Sequence, residues 1–120
     1  MKSYTMTESE MKFAQLIWEK EPVPSGELVR LCEKEFSWKK STTYTMLKKL
    51  CDKKIFQNQE AVVTARITRE DYLQSKSETF LEENFGGSLP VFLAAFMKRK
   101  NLSGQQIAEL KDMIEKYEER

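Results

Sequence analysis

Between Trp38 and Lys54 the chain sets six lysines, Lys39, Lys40, Lys48, Lys49, Lys53 and Lys54, against the single aspartate Asp52, a net charge of +5. The same stretch carries Ser41, Thr42, Tyr44 and Thr45. Ammonium groups neutralise anionic oxygens, and short hydroxyls bond to base edges or phosphates, so these types in one segment suit binding to a polyanion rather than bond making. Catalytic chemistry has little to work with. Histidine is absent, which excludes Ser-His and Cys-His nucleophilic pairs. Cys32 and Cys51 stand apart with no CxxC or CxC partner, so a tetrahedral site with three or four soft ligands is not expected. Both cysteines read as small buried hydrophobes of a reducing compartment, and neither a metal nor another cofactor is expected. Glu27, Glu33 and Asp71 each fit a helix cap or a solvated face, so no enzyme is expected.

A chain of 120 residues, 40% hydrophobic and 32% charged, suits one or two small globular domains sharing a modest core. No apolar run approaches the roughly 18 to 20 residues of a bilayer span, and the N-terminus lacks an apolar signal core. A cytoplasmic protein without a membrane partner is expected. Overall charge is only +1, yet residues 103 to 120 set Lys111, Lys116 and Arg120 against five acidic groups. One end can therefore face a polyanion while the other does something else.

The elements that must position these groups follow from local signals. Thr7 and Glu10 form the spacing that caps a helix start reciprocally, and "EPVP" ends that helix, giving a first helix over about 8–20. A second begins near Pro24 or Ser25 and runs toward Phe36. A third covers about 39–53, with Thr43, Met46, Leu47 and Leu50 on one face, Cys51 at its margin, and Ser41, Thr42, Thr45, Lys48, Lys49 and Asp52 opposite. "IFQNQEAVVTARIT" then shifts to a strand period, with polar "QNQE" in the position of a turn. Three helices followed by a hairpin is the order of a winged helix-turn-helix. Such a fold presents the N-terminal part of its third helix to the major groove, which places Ser41, Thr42, Tyr44 and Thr45 toward bases or phosphates and Lys39, Lys40, Lys48, Lys49 and Lys53 on phosphates.

From Thr68 the pattern returns to helix, capped by Thr68 with Asp71 and broken by "NFGGSLP". Ser88 opens a short apolar helix through "LPVFLAAFMKRK", and Ser103 with Gln106 caps a last one. Phe92, Leu93, Phe96, Met97, Ile107, Leu110, Ile114 and Tyr117 supply more apolar surface than so small a bundle covers, and a second copy of the chain is the expected partner. Packing within the chain is the alternative. The expected architecture is mainly α with a small β-hairpin: a winged helix-turn-helix domain over 1–68 and a C-terminal helical dimerisation region over 69–120.

Three segments in order resemble the penicillinase repressor family. "TESEMKFAQLIWEKEPVPSGEL" is similar to the family's opening through Thr7, Glu10, Trp18, Glu27 and Leu28. "WKKSTTYTMLKKLCDKK" is similar to its recognition helix through Trp38, Thr42, Thr45, Leu47, Leu50 and Lys53. "FMKRKNLSGQQIAELKDMIEK" resembles its C-terminal motif through Phe96, Leu102, Ser103, Ile107, Glu109 and Leu110. The resemblance implies a homodimeric transcriptional repressor on palindromic double-stranded DNA operators. It further implies a regulatory protease acting at the bond between Ala95 and Phe96, although Ala95 replaces the asparagine of the characterised resistance repressors and so argues against β-lactam-induced cleavage. The chain lacks the CxC pairs of copper-sensing relatives, carries Lys54 where the family has a glycine, and keeps Arg66 as the one cation of its wing. Tyr44 and Thr43 replace a basic and an aliphatic residue, so the operator cannot be copied from the family. A winged-helix interaction module binding an acidic protein partner is the competing expectation.

Overall fold

The computed structural model describes residues 4–99 and 101–119. Six helices, α1 (Glu8–Lys20), α2 (Ser25–Phe36), α3 (Lys40–Asp52), α4 (Arg69–Phe85), α5 (Leu89–Phe96) and α6 (Gly104–Glu118), accompany three short strands, β1 (Val23–Pro24), β2 (Phe56–Gln59) and β3 (Val62–Ala65). The strands form one antiparallel sheet in the order β1-β3-β2, which with α1 to α3 makes a winged helix. The chain divides into two compact units, one ending at Thr79 and the other starting at Phe80.

In the first unit α1 begins with the expected cap: Thr7 Oγ accepts from the Glu10 N–H and the Glu10 carboxylate accepts from the Thr7 N–H, each at 3.1 Å. One face of α1 then buries Phe13, Ala14 and Ile17 against Leu28 and Cys32 of α2, Leu47 and Leu50 of α3, and Ile55, Phe56 and Val63 of the wing. Trp38 sits in the α2–α3 turn with its ring 5.4 Å from Phe13 and 4.9 Å from Phe36, fixing where α3 starts. Trp18 stacks on Phe56 and Tyr72 and donates its indole N–H to the Ile67 carbonyl at 3.1 Å, which fastens the start of α4 to α1. Aromatic pairs of this kind add about 0.5–1.5 kcal/mol beyond the area they bury.

The wing differs from its sequence expectation. Its turn is Glu60–Ala61, not "QNQE": Gln57, Asn58 and Gln59 pair with Thr64, Val63 and Val62 as strand residues. They are polar because β2 is the outer strand of the sheet, where solvent rather than core meets much of the chain, and Gln57 Nε2 donates across the ladder to Thr64 Oγ1 at 3.1 Å. Glu60 and Ala61 have φ of 53° and 62°, the sign required of both residues in the tight hairpin turn whose twist matches its strands. Lys54, with φ of 67°, occupies the left-handed position after α3 that glycine fills at least cost. β1 was not expected at all; two residues give no readable period, and only pairing with Val62 and Val63 defines it.

In the second unit Phe80, Phe85 and Phe92 form a mutual cluster with ring centroids 5.4 to 6.1 Å apart, and Phe96 lies 6.0 Å from Phe92. Gly86 and Gly87, with φ of 58° and 79°, make the turn that brings α5 back. The α-helical part of α5 ends at Phe96 and tightens to a 3₁₀ turn over Met97–Arg99; the expected end at Lys100 lies outside the described residues. Ser103 and Gln106 form the expected capping box of α6. No described residue from Phe80 onward is fully buried.

Candidate nucleic-acid interface

Helix α3 is divided lengthwise. Thr43, Leu47 and Leu50 are buried and seat it on the core, while Lys40, Ser41, Thr42, Thr45, Lys48, Lys49 and Asp52 are exposed on the other side, with Lys39 exposed just before the first turn. The helix has no side-chain cap and no acidic residue in its first turn, so its free N–H groups and positive dipole end add to the charge of Lys39 and Lys40. Lys48 reaches Asp52 at 3.1 Å, an exposed pair that water and salt screen, so its ammonium is readily available to another anion. A face built this way offers point charges and short donors to anionic oxygens over nearly the whole length of one helix.

Two expected contact residues have internal partners. The Lys53 ammonium binds the Glu10 carboxylate at 2.8 Å and the Thr5 carbonyl at 2.7 Å, which commits it to holding α3 against the start of α1. Tyr44, 36% exposed at the edge of the face, donates its hydroxyl to Ser25 Oγ of α2 at 3.2 Å. Neither partner could be read from spacing, since they lie 43 and 19 residues away. Arg66 is exposed beyond β3, its backbone N–H held by the Ile55 carbonyl at 2.8 Å.

Burial alone would raise the Glu10 carboxyl, but the Lys53 ammonium, the Thr7 N–H and the Thr7 hydroxyl outweigh it and hold the group below its ordinary 4.5. A lowered folded value means that the carboxylate stabilises fully above pH 4.5 and that this contribution is lost as pH falls through the lowered value. Glu10→Gln keeps the capping geometry and removes the charge. It should cost about 1.5–3 kcal/mol at neutral pH, the usual worth of a charged hydrogen bond, and thermal melts of variant and parent should converge as pH falls through the lowered value of Glu10. A gap that persists in acid would mean the ion pair is not its source.

Burial also pushes both thiols up, with Thr43 partly offsetting the effect at Cys32 and the Asp52 charge adding to it at Cys51. Both therefore behave as packing groups at neutral pH. A groove of about 510 Å³ lies between α1 and the start of α4, lined by Trp18, Glu19, Glu21, Arg69 and Glu70 among others. Its three carboxylates against one guanidinium give it the wrong sign for a phosphate chain, which leaves α3 as the face suited to a polyanion. Among the described residues no group of three or more His, Cys, Asp or Glu side chains could hold a metal, and no helix is long and apolar enough to cross a membrane.

The apolar residues singled out in the second unit are largely uncovered. Phe92, Leu93 and Leu110 are half-buried, whereas Phe96, Met97, Ile107, Ile114 and Tyr117 are 41% to 70% exposed. Leu89, Val91 and Met113, which the sequence did not single out, are exposed by 52% to 65%. Ala95 and Phe96 form the last turn of α5; the Met97 N–H donates to the Leu93 carbonyl, and the Phe96 carbonyl accepts from Asn101 Nδ2 at 2.9 Å.

The family model described as penicillinase repressor matches residues 6–116. The chain is 27% identical over 119 residues to the penicillinase repressor of Bacillus licheniformis, covering 96% of this chain and 93% of that protein. It is 24% identical over 117 residues to the penicillinase repressor of Staphylococcus aureus, covering 94% and 93%. The methicillin resistance regulatory protein MecI of Staphylococcus aureus strain Mu50 is 23% identical over 124 residues, with 96% and 97% covered.

Proposed function

The chain belongs to the penicillinase repressor family, and from that premise we propose that it is a transcriptional repressor that binds double-stranded operator DNA as a homodimer. The observation that carries this reading is the lengthwise split of α3, whose buried Thr43, Leu47 and Leu50 fix an opposite face of exposed hydroxyls and lysines. As the second helix of a helix-turn-helix, α3 enters the major groove, where Ser41, Thr42 and Thr45 reach base edges or nearby phosphates. Lys39, Lys40, Lys48 and Lys49 neutralise flanking phosphates, and Arg66 extends that contact from the base of the wing. Lys53 stays with Glu10.

The exposed apolar surface of α5 and α6 supports the dimer, because a unit this short buries too little of its own surface to leave so much uncovered. A two-fold dimer matches a palindromic operator with half-sites about one helical turn apart or a small multiple, and a dimer so placed blocks polymerase sterically. A regulatory protease acting at Ala95–Phe96 would have to unwind the end of α5 first, since both residues lie in its last turn and the Phe96 carbonyl is held by Asn101. That requirement couples cleavage to opening of the helical region.

The test is the salt dependence of binding to the DNA that the protein footprints upstream of its own coding sequence. Four lysines and Arg66 on each of two protomers predict a slope of log Kobs against log salt of about −9, at about 0.9 per phosphate. A nearly flat response would sink the reading and favour an acidic protein as the partner of α3.

A further inference from the structure

Ser25 bonds both to the wing turn and to α3. Ser25, 6% exposed, occupies the first position of α2, where its backbone N–H donates to the Ala61 carbonyl at 2.8 Å and its hydroxyl accepts from the Tyr44 phenol at 3.2 Å. The first bond extends the pairing of Val23 with Val63 and Pro24 with Val62 by one residue, and so ties α2 to a turn residue held at φ 62°. The second reaches the edge of the exposed face of α3, two residues from Thr42 and next to Thr45. Tyr44 also lines a cleft of about 300 Å³ together with Leu47, Lys48, Cys51 and Asn58.

We propose that Ser25 is a positioning residue that locks the wing turn and the recognition helix into one rigid reader, with Tyr44 acting as its lever rather than as a contact to DNA. The proposal rests on the operator-binding reading and names a determinant of its specificity. Residues 56–61 carry Glu60 and no cation, so the wing tip adds no phosphate attraction of its own. Its contribution is geometric: it fixes the start of α2, and α2 through Ser25 fixes the flank of α3. Because α3 lacks a side-chain cap at its N-terminus, a polar tie across 19 residues restricts rotation of the helix about its own axis, the motion that would shift Thr42 and Thr45 against base edges.

The experiment compares the full-length protein with Tyr44→Phe, Ser25→Ala, the double variant and Ser25→Thr, using the footprinted operator and a scrambled duplex of equal length. Tyr44→Phe should lower the operator-to-scrambled affinity ratio about threefold to tenfold, the effect of one neutral hydrogen bond. Its affinity for the scrambled duplex and its salt slope should not change. Ser25→Ala should match it, the double variant should be no worse than either, and Ser25→Thr, which keeps the acceptor, should hold the ratio. In the free protein, hydrogen exchange at the Ser25 amide should accelerate severalfold in Tyr44→Phe. A drop in salt slope for Tyr44→Phe would make the phenol a phosphate contact and overturn the proposal. So would an unchanged Ser25 exchange rate, which is read without DNA. A parent protein that prefers neither duplex would instead count against operator binding itself.

Discussion

Ile114→Asp is expected to convert the protein to a monomer and to weaken operator binding by at least about a hundredfold, the typical gain from a second tethered half-site. Ile114 is 56% exposed in the single chain, so the substitution removes only part of a side chain's packing within the protomer. In a dimer the same position would bury a carboxylate against its symmetry mate or other apolar groups, and an unpaired buried charge is far costlier than the roughly 1.5–3 kcal/mol lost with the isoleucine. Leu110→Asp, at a half-buried position on the same seam, should act in the same direction with some loss of protomer stability. Sedimentation equilibrium reads the oligomer and fluorescence anisotropy reads the operator. An Ile114→Asp protein that sediments as an unchanged dimer would move the interface away from this seam.

Thr42→Ala combined with Thr45→Ala should abolish most operator preference while leaving binding to unrelated DNA intact. Each good base contact is worth about 1–3 kcal/mol, so loss of both predicts a fall in discrimination of roughly 30-fold or more. Both residues are exposed and alanine favours helix over threonine, so the melting temperature should hold or rise slightly. The phosphate contacts are untouched, and the salt slope should stay that of the parent. Titrations against operator and scrambled duplex at two salt concentrations separate these terms. Equal weakening on both duplexes would assign Thr42 and Thr45 to the backbone and leave base readout to other residues.

The two substitutions probe different physical terms. On the proposed reading, the aspartate attacks the apolar surface that would make one binding event into two, and the threonine pair attacks the few donors that would distinguish one sequence from another. A phenotype in which monomers still discriminate, at lower affinity, would show the two terms to be separable, as the division of the chain into two compact units suggests.

Several features of this protein were legible in the chain because the forces behind them act over three or four residues. The reciprocal caps at Thr7 with Glu10 and Ser103 with Gln106, the lengthwise split of α3, and the stop of α1 before Pro22 all follow from local hydrogen bonding and helical period. The wing turn was misplaced by composition, since polar residues on an outer strand look like turn residues until the pairing of Gln59 with Val62 is known. Tertiary structure alone decided the rest. It took Lys53 from the charged face and set it on Glu10, 43 residues away; it gave Tyr44 a partner in Ser25; and it made a strand of Val23 and Pro24 by laying them beside β3. Sequence spacing fixes which side of a helix a residue occupies, but which distant group waits on that side is set only when the core closes and brings the two together.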